Sequence, residues 1–232
     1  MTNKIRILIV LTSQSTMGDS DRPTGVWFEE LSAPYYTFAD AGVEVDLASI
    51  AGGPIPIDPG SSAAAGQNPP SVERFLGDKV AMRKLGASLK VGELLPDGYS
   101  AVFLPGGHGT MWDMPENKAL AVFLSDAWAK GKVVSAVCHG PAGLLGAKDA
   151  DGRPIVSGRR VSSFTDAEET AVGLQNVVPF LLESRLRKSG AKFEKGPNFG
   201  PYAVRDGNLV TGQNPASSEK VARLVLDIVR SV

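Results

Sequence analysis

The chain has 232 residues, 43% of them hydrophobic and 21% charged, with 24 basic side chains against 25 acidic ones for a formal net charge of −1. That length and composition suit a buried core in one large domain or two small ones, and the balanced charge excludes the electrostatic footprint of nucleic-acid or anionic-membrane binding. One cysteine and two histidines exclude an internal disulfide and give no metal-ligand cluster, so neither metal nor cofactor is expected.

The chain opens on Met-Thr-Asn-Lys and runs directly into Ile5–Leu11, a β-branched and leucine-rich stretch broken only by Arg6, the pattern of a strand covered on both faces. It lacks the small-residue cleavage site of a signal peptide, and no apolar run approaches the roughly 18 residues of a membrane span, so a cytoplasmic protein is expected. A helical pattern follows from Val26 to Ala41, ending at Gly42, and then a strand over Val43–Ser49. Residues 51–92 read as an excursion: Ala51–Pro70 is rich in Gly, Pro, Ser and Ala, and Val72–Gly92 reads as short helices. Ala101–Leu104 is a third buried strand, Asn117–Lys130 an amphipathic helix stopped by Gly131, and Lys132–Val137 a fourth strand. Pro141–Leu145 begins another helix, Arg160–Phe164 resembles a strand, and Ala167–Arg187 one or two helices, with Arg185–Lys188 as a basic C-terminal turn. A hairpin-like pair, Tyr202–Arg205 and Leu209–Thr211, precedes a final amphipathic helix over Ala216–Val229. Strands alternating with helices imply a single α/β domain over 1–232: a flavodoxin-like sandwich with a mostly parallel central sheet and helices on both faces.

The most informative segment is Val133-Val134-Ser135-Ala136-Val137-Cys138-His139-Gly140-Pro141-Ala142-Gly143. A buried strand breaks off at a cysteine, and Gly and Pro then start a helix. Such a nucleophile elbow aims one side chain out of the C-terminal edge of the sheet, where open α/β sheets bind ligands. A helix N-terminus behind the sulfur favours its anion, so the Cys138 thiol is expected below its usual value near 8.5. The bland reading of a lone cysteine is a small buried hydrophobe; the strand–Cys–His–Gly–Pro turn favours a reactive thiol instead. The second segment is Phe103-Leu104-Pro105-Gly106-Gly107-His108-Gly109-Thr110. A strand ending in glycines exposes backbone N–H groups able to hold an oxyanion, a role that gains weight if this strand lies beside the one carrying Cys138.

Together these segments resemble the ThiJ/PfpI (class I glutamine-amidotransferase-like) superfamily over nearly the whole chain. The matching motifs are Pro105–Gly109, Ala136–Pro141, and Thr24–Glu30 followed by Pro34-Tyr35-Tyr36. Ser163–Glu169, Asn198–Tyr202 and Thr211–Pro215 are most similar to its heat-shock-associated glyoxalase III branch. The resemblance implies Cys138 as nucleophile, His139 beside it, and Glu30 as the buried carboxylate that hydrogen-bonds the sulfur and shuttles protons, with Glu29 the fallback. It places the acid that orients His139 within Asp166–Glu169, with Glu169 favoured over Glu168 and Asp166. It implies an oxyanion hole from the N–H groups of Gly107 and His139, and a pocket lined by Gly106, His108 and Trp27. Met111, Trp112 and Met114 read as packing under the glycine loop, and Tyr35 and Tyr36 as core or subunit contact.

The activity implied is that of a cysteine-dependent lyase of the glyoxalase III (D-lactate dehydratase) type. Methylglyoxal or glyoxal becomes D-lactate or glycolate without glutathione, through a Cys138 hemithioacetal and an enediol made by Glu30. The expected partner is a small reactive carbonyl compound, and the expected assembly a homodimer. Rival readings are a cysteine amidase or peptidase, an isonitrile hydratase-like enzyme, or, in a different class, a stress holdase chaperone or an oxidation sensor at Cys138.

Overall fold

The computed structural model describes residues 5–231. Strands β1 (Arg6–Leu11), β2 (Glu44–Ser49), β3 (Leu89–Lys90), β4 (Ala101–Leu104) and β5 (Val133–Val137) are joined by helices α1 (Phe28–Ala39), α2 (Pro70–Gly77), α3 (Lys79–Gly86), α4 (Thr110–Asp113) and α5 (Lys118–Ala129). After β5 come β6 (Arg160–Val161), α6 (Asp166–Ala171), α7 (Leu182–Lys188), β7 (Lys192–Phe193), β8 (Ala203–Asp206), β9 (Leu209–Gly212) and α8 (Ser218–Val229). The seven-stranded main sheet runs β3-β2-β1-β4-β5-β9-β8, parallel throughout except for the β8–β9 hairpin.

Strand alternation decides the layers. On β1, Ile7, Ile9 and Leu11 face a cluster with Phe28, Leu31 and Phe38 of α1 and Val221 and Val225 of α8. Leu8 and Val10 face the opposite cluster, with Leu120, Phe123 and Leu124 of α5 and Leu186 of α7. All five of these β1 side chains are fully buried, so each face contributes several kilocalories of burial, at about 25 cal/mol per Å² of apolar surface. In a sheet covered this way ligands bind by preference at the carboxyl ends of the strands, where the chain reverses its winding. That reversal falls between β1 and β4, and β4 lies beside β5 with Leu104 opposite Ala136. The Pro105-Gly106-Gly107 turn and the Cys138 elbow are therefore neighbours, the condition on which an oxyanion role for the glycine turn depended.

Several expectations shift in detail. Arg160–Phe164 is a strand only at Arg160–Val161, and it belongs with β7 to a separate two-stranded sheet. The chain leaves it early because the N–H of Phe164 donates to the Cys138 carbonyl, 2.8 Å away, drawing that ring to the elbow. Residues 167–187 divide into two short helices, and residues 51–92 add β3 to the sheet edge beside β2. Helix α4, unread in the sequence, buries Met111 beneath the glycine loop.

Candidate active site

Cys138 takes φ 58°, the left-handed region that a side chain rarely adopts, and its N–H donates to the Gly212 carbonyl of β9 at 3.0 Å. The residue is pinned at both ends, so the strain is held by the surrounding fold and the sulfur is aimed at the strand ends. Its Sγ lies 3.3 Å from His139 Nδ1. Beyond His139 the chain departs from expectation: Gly140–Leu144 is a five-residue 3-10 turn, with little dipole to offer. The lowered thiol pKa anticipated from a helix N-terminus is not what the site produces. Burial pushes the Cys138 thiol well up, the Glu30 carboxylate pushes it further, and the His139 backbone N–H opposes them.

Glu30 reaches this point from the first turn of α1 and is completely buried. Its Oε2 accepts from the Gly106 N–H at 2.7 Å. Oε1 has no N–H or O–H donor among the described residues, and the carboxyl's other partner is the Cys138 thiol. Desolvation raises the Glu30 pKa to about 8 against those two hydrogen bonds. Glu29, the fallback, is half-buried and lines a different groove. The approach is close because Gly106 has no side chain: a Cβ there would stand 2.6 Å from the His139 nitrogen and 2.9 Å from Glu30 Oε2. Gly107 is equally constrained, with φ 98° and the Gly25 carbonyl 2.2 Å from where its Cβ would be.

The three candidate acids separate cleanly. Glu169 Oε2 is 2.8 Å from His139 Nε2, and its Oε1 is 2.8 Å from His108 Nε2. Burial would raise its pKa, but the hydrogen bonds from the two imidazoles outweigh that and hold it at about 2. His139 is the reverse: burial, assisted by His108, brings it down to about 4 in spite of Glu169. At neutral pH a neutral His139 therefore donates from Nε2 to Glu169 and presents the Nδ1 lone pair to the thiol. Glu168, one residue earlier, points elsewhere. It closes the capping box of α6 on Thr165 and accepts from the Phe199 N–H, Gln213 Nε2 and Asn214 Nδ2. Asp166 binds Ser184 on α7.

These groups meet in a cavity of about 150 Å³. Glu30, Gly107, His108, Cys138 and His139 form its reactive side. Trp27, Phe164, Val172, Phe199 and Pro215 form an apolar wall. Tyr35 and Tyr36 instead pack on Phe75 in the core. A larger groove of about 660 Å³ borders α1 and α8, and its lining residues include Asp40, Arg223 and Arg230 but no cysteine or histidine. His108, His139 and Glu169 have ligand atoms within 4.8 Å of one another, a set that could hold a metal ion. Each imidazole already donates a proton to the carboxylate, so a cation would have to displace both.

A strained cysteine elbow, a histidine backed by a glutamate, and a buried glutamate from the first helix are now placed in one cleft, and residues 24–228 match the family described as DJ-1/PfpI. The chain belongs to the DJ-1/PfpI family. A glutathione-independent glyoxalase of Saccharomyces cerevisiae is 35% identical over 235 aligned residues, covering 97% of this chain and 98% of that one. The solved structure of the rapid encystment protein of Francisella tularensis superposes with a TM-score of 0.92 at 37% identity, covering 97% of this chain and 99% of its own. Glyoxalase III of Candida albicans superposes at 0.88 with 31% identity, covering 97% of each chain.

Within this DJ-1/PfpI frame, three features escaped the sequence. Phe199 has φ 59° and is 51% exposed at the cavity mouth. The Asn198-Phe199-Gly200 segment marked a turn, but nothing in it showed that the turn closes over Cys138. The five acceptances of Glu168 needed partners 31 to 46 positions away, as well as its own Thr165 cap. The sharing of one carboxylate by two histidines needed β4 and α6 to be brought together in space.

Proposed function

We propose that this chain is a glutathione-independent glyoxalase, converting methylglyoxal or glyoxal to the corresponding 2-hydroxy acid by cysteine-dependent chemistry at Cys138. One observation carries the reading: a buried carboxyl, Glu30, stands beside a nucleophilic sulfur in a small, mostly apolar cavity. A small cavity with an apolar wall suits a small carbonyl compound.

The chemistry follows from the two environments. Cys138 sulfur attacks the aldehyde carbon, C1, and its proton passes by way of His139 Nδ1 to the new C1 oxygen, giving the hemithioacetal. The N–H groups of Gly107 and His139 hold that oxygen while it is negative; neither donates to an oxygen elsewhere among the described residues. Glu30 as carboxylate then takes the C1 hydrogen and returns it to C2, so that the hemithioacetal becomes a thioester through an enediol. Water, deprotonated by His139, releases the hydroxy acid and the thiol. Glu30 suits this task because its raised pKa of about 8 makes it a far stronger base than an exposed carboxylate.

The family resemblance supports a cytoplasmic homodimer as part of the same reading; Glu169 comes from the same chain as His139, so the site needs no acid from a partner. No helix among the described residues is long and apolar enough to cross a membrane. The deciding experiment is methylglyoxal consumption with D-lactate detection, without glutathione, on wild type and Cys138→Ala. Turnover confined to the wild type is expected; equal turnover in both, or none in the wild type, overturns the reading.

A further inference from the structure

Two apolar side chains are left in water at the rim of the cavity. Of the residues that line it, only Val172 and Phe199 are exposed, at 44% and 51%, whereas Glu30, Gly107, Cys138, His139 and Phe164 are buried. Those two therefore mark the mouth. Val172 ends helix α6, and Phe199 lies in the loop between β7 and β8. The Phe199 ring is the outermost of an aromatic series that runs inward to the catalytic histidine. Its centroid is 6.3 Å from that of Phe164, which in turn is 4.6 Å from that of His139.

The loop that carries this ring is held by three buried polar side chains, Glu168, Gln213 and Asn214. Glu168 Oε1 accepts from the Phe199 N–H at 2.7 Å, from Gln213 Nε2 at 3.0 Å and from Asn214 Nδ2 at 2.9 Å. Gln213 Oε1 accepts from the Gly196 N–H at 2.8 Å, and its Nε2 also donates to the Pro197 carbonyl at 3.1 Å. Asn214 Nδ2 donates to the Gly200 carbonyl at 2.8 Å. Every one of these bonds ends on the main chain of the loop or on another member of the trio, so the path of the loop does not depend on the side chain at 199. That path gives Phe199 φ 59°, a region in which a bulky side chain is rare. Strain held in place by the surrounding structure concentrates at ligand clefts, and here it falls on the residue that borders the mouth. With its main chain tied at Gly196, Pro197, Phe199 and Gly200, the loop presents the ring as a fixed part of the rim rather than as a mobile lid.

We propose that Phe199 is the specificity-determining residue of this site, a size gate that admits 2-oxoaldehydes bearing hydrogen or a short aliphatic group and obstructs those bearing an aromatic ring. The inference rests on the glyoxalase reading. In that reaction the aldehyde carbon is bonded to the Cys138 sulfur, so the substituent on the neighbouring carbonyl carbon is left to the apolar wall that Phe199 shares with Trp27, Phe164, Val172 and Pro215. A hydrogen or methyl group ends within that wall. An aromatic substituent extends toward the mouth and meets the Phe199 ring.

Glycine at this position tests the gate without disturbing what holds the loop: Phe199→Gly suits φ 59° and keeps the N–H that Glu168 accepts. In that variant kcat/KM for phenylglyoxal relative to methylglyoxal should rise about tenfold or more, the scale on which an apolar pocket discriminates. A second readout needs no turnover. Cys138 is the sole cysteine, so the rate of its alkylation by N-phenylmaleimide relative to iodoacetamide reports access to the sulfur alone, and this ratio should rise in Phe199→Gly as well. Phe199→Leu should raise both ratios by less. Unchanged ratios in Phe199→Gly, or an equal loss of turnover on both substrates, would show that Phe199 only seals the loop and would overturn the proposal. So would a wild type as efficient with phenylglyoxal as with methylglyoxal. A wild type inactive on both 2-oxoaldehydes would bring down the glyoxalase reading itself, and the alkylation ratio would still decide whether Phe199 gates the sulfur.

Discussion

Two buried glutamates flank Cys138, and the fold drives them in opposite directions. Glu30 sits among apolar groups of α1 and the sheet with one backbone N–H for support, and its pKa rises to about 8. Glu169 is almost as buried, yet two imidazole N–H groups satisfy both its oxygens and it falls to about 2. Burial is common to both; the number and strength of donors decides which wins. The difference assigns the work. In the proposed reaction, the carboxyl poised near neutrality is the one that exchanges protons with the substrate, and the one held charged orients His139.

The comparison is broken most severely by Glu30→Gln. Turnover should fall about 10³-fold, within the usual range for a catalytic acid–base group. The same change should stabilise the protein. The native Glu30 titrates at about 8 and an unfolded one near 4.5, so the native chain binds the extra proton between those values. Stability contributed by this group therefore declines as pH rises from about 4.5 to about 8 and stays lost above that. The variant escapes the decline, and its Tm advantage should grow across that window and level off above pH 8, reaching several degrees. Thermal melts at pH 5, 7 and 9 test it; an advantage independent of pH would mean that Glu30 is not desolvated as described.

A smaller effect sharpens the contrast on the other side. Glu169→Gln should lower turnover about 100-fold, since His139 loses the anion that fixes its tautomer, while the alkaline onset near pH 8 stays in place because Glu30 is untouched. A pH–rate profile that lost this onset in the Glu169 variant would show that the two carboxylates act as one unit. Smallest of all is the effect on the nucleophile alone. Because Glu30 raises the Cys138 thiol pKa, Glu30→Gln should move the alkaline rise in iodoacetamide alkylation to lower pH. An unshifted or upward-shifted rise would remove Glu30 from the sulfur's environment.

How much of this was legible beforehand depended on range. The strands and the elbow are written locally: Val133–Val137 is an unbroken buried run, and Gly140-Pro141 soon after Cys138 bars the strand from continuing. The match of the Pro105–Gly109 turn to its neighbour was foreseeable in chemistry, and the β4–β5 pairing supplied the place. Choosing among Asp166, Glu168 and Glu169 was not a local matter. The three lie on one short helix, and only the packing of α6 against His139 on one side and Gln213 and Asn214 on the other determines which carboxylate faces where. The thiol pKa was misjudged for a related reason. The sequence suggested a helix after Pro141, whereas burial beside Glu30, and a 3-10 turn in place of that helix, reversed the sign.

The left-handed backbone at Cys138 has a consequence for how such a sequence drifts. A non-glycine residue at φ 58° carries strain of about 1 kcal/mol or more that glycine would not. Under selection for thermal survival alone, Cys138 is therefore among the first positions expected to mutate, and toward glycine, with Glu30 following toward glutamine. A library of variants sorted only on heat resistance should be depleted of its own nucleophile.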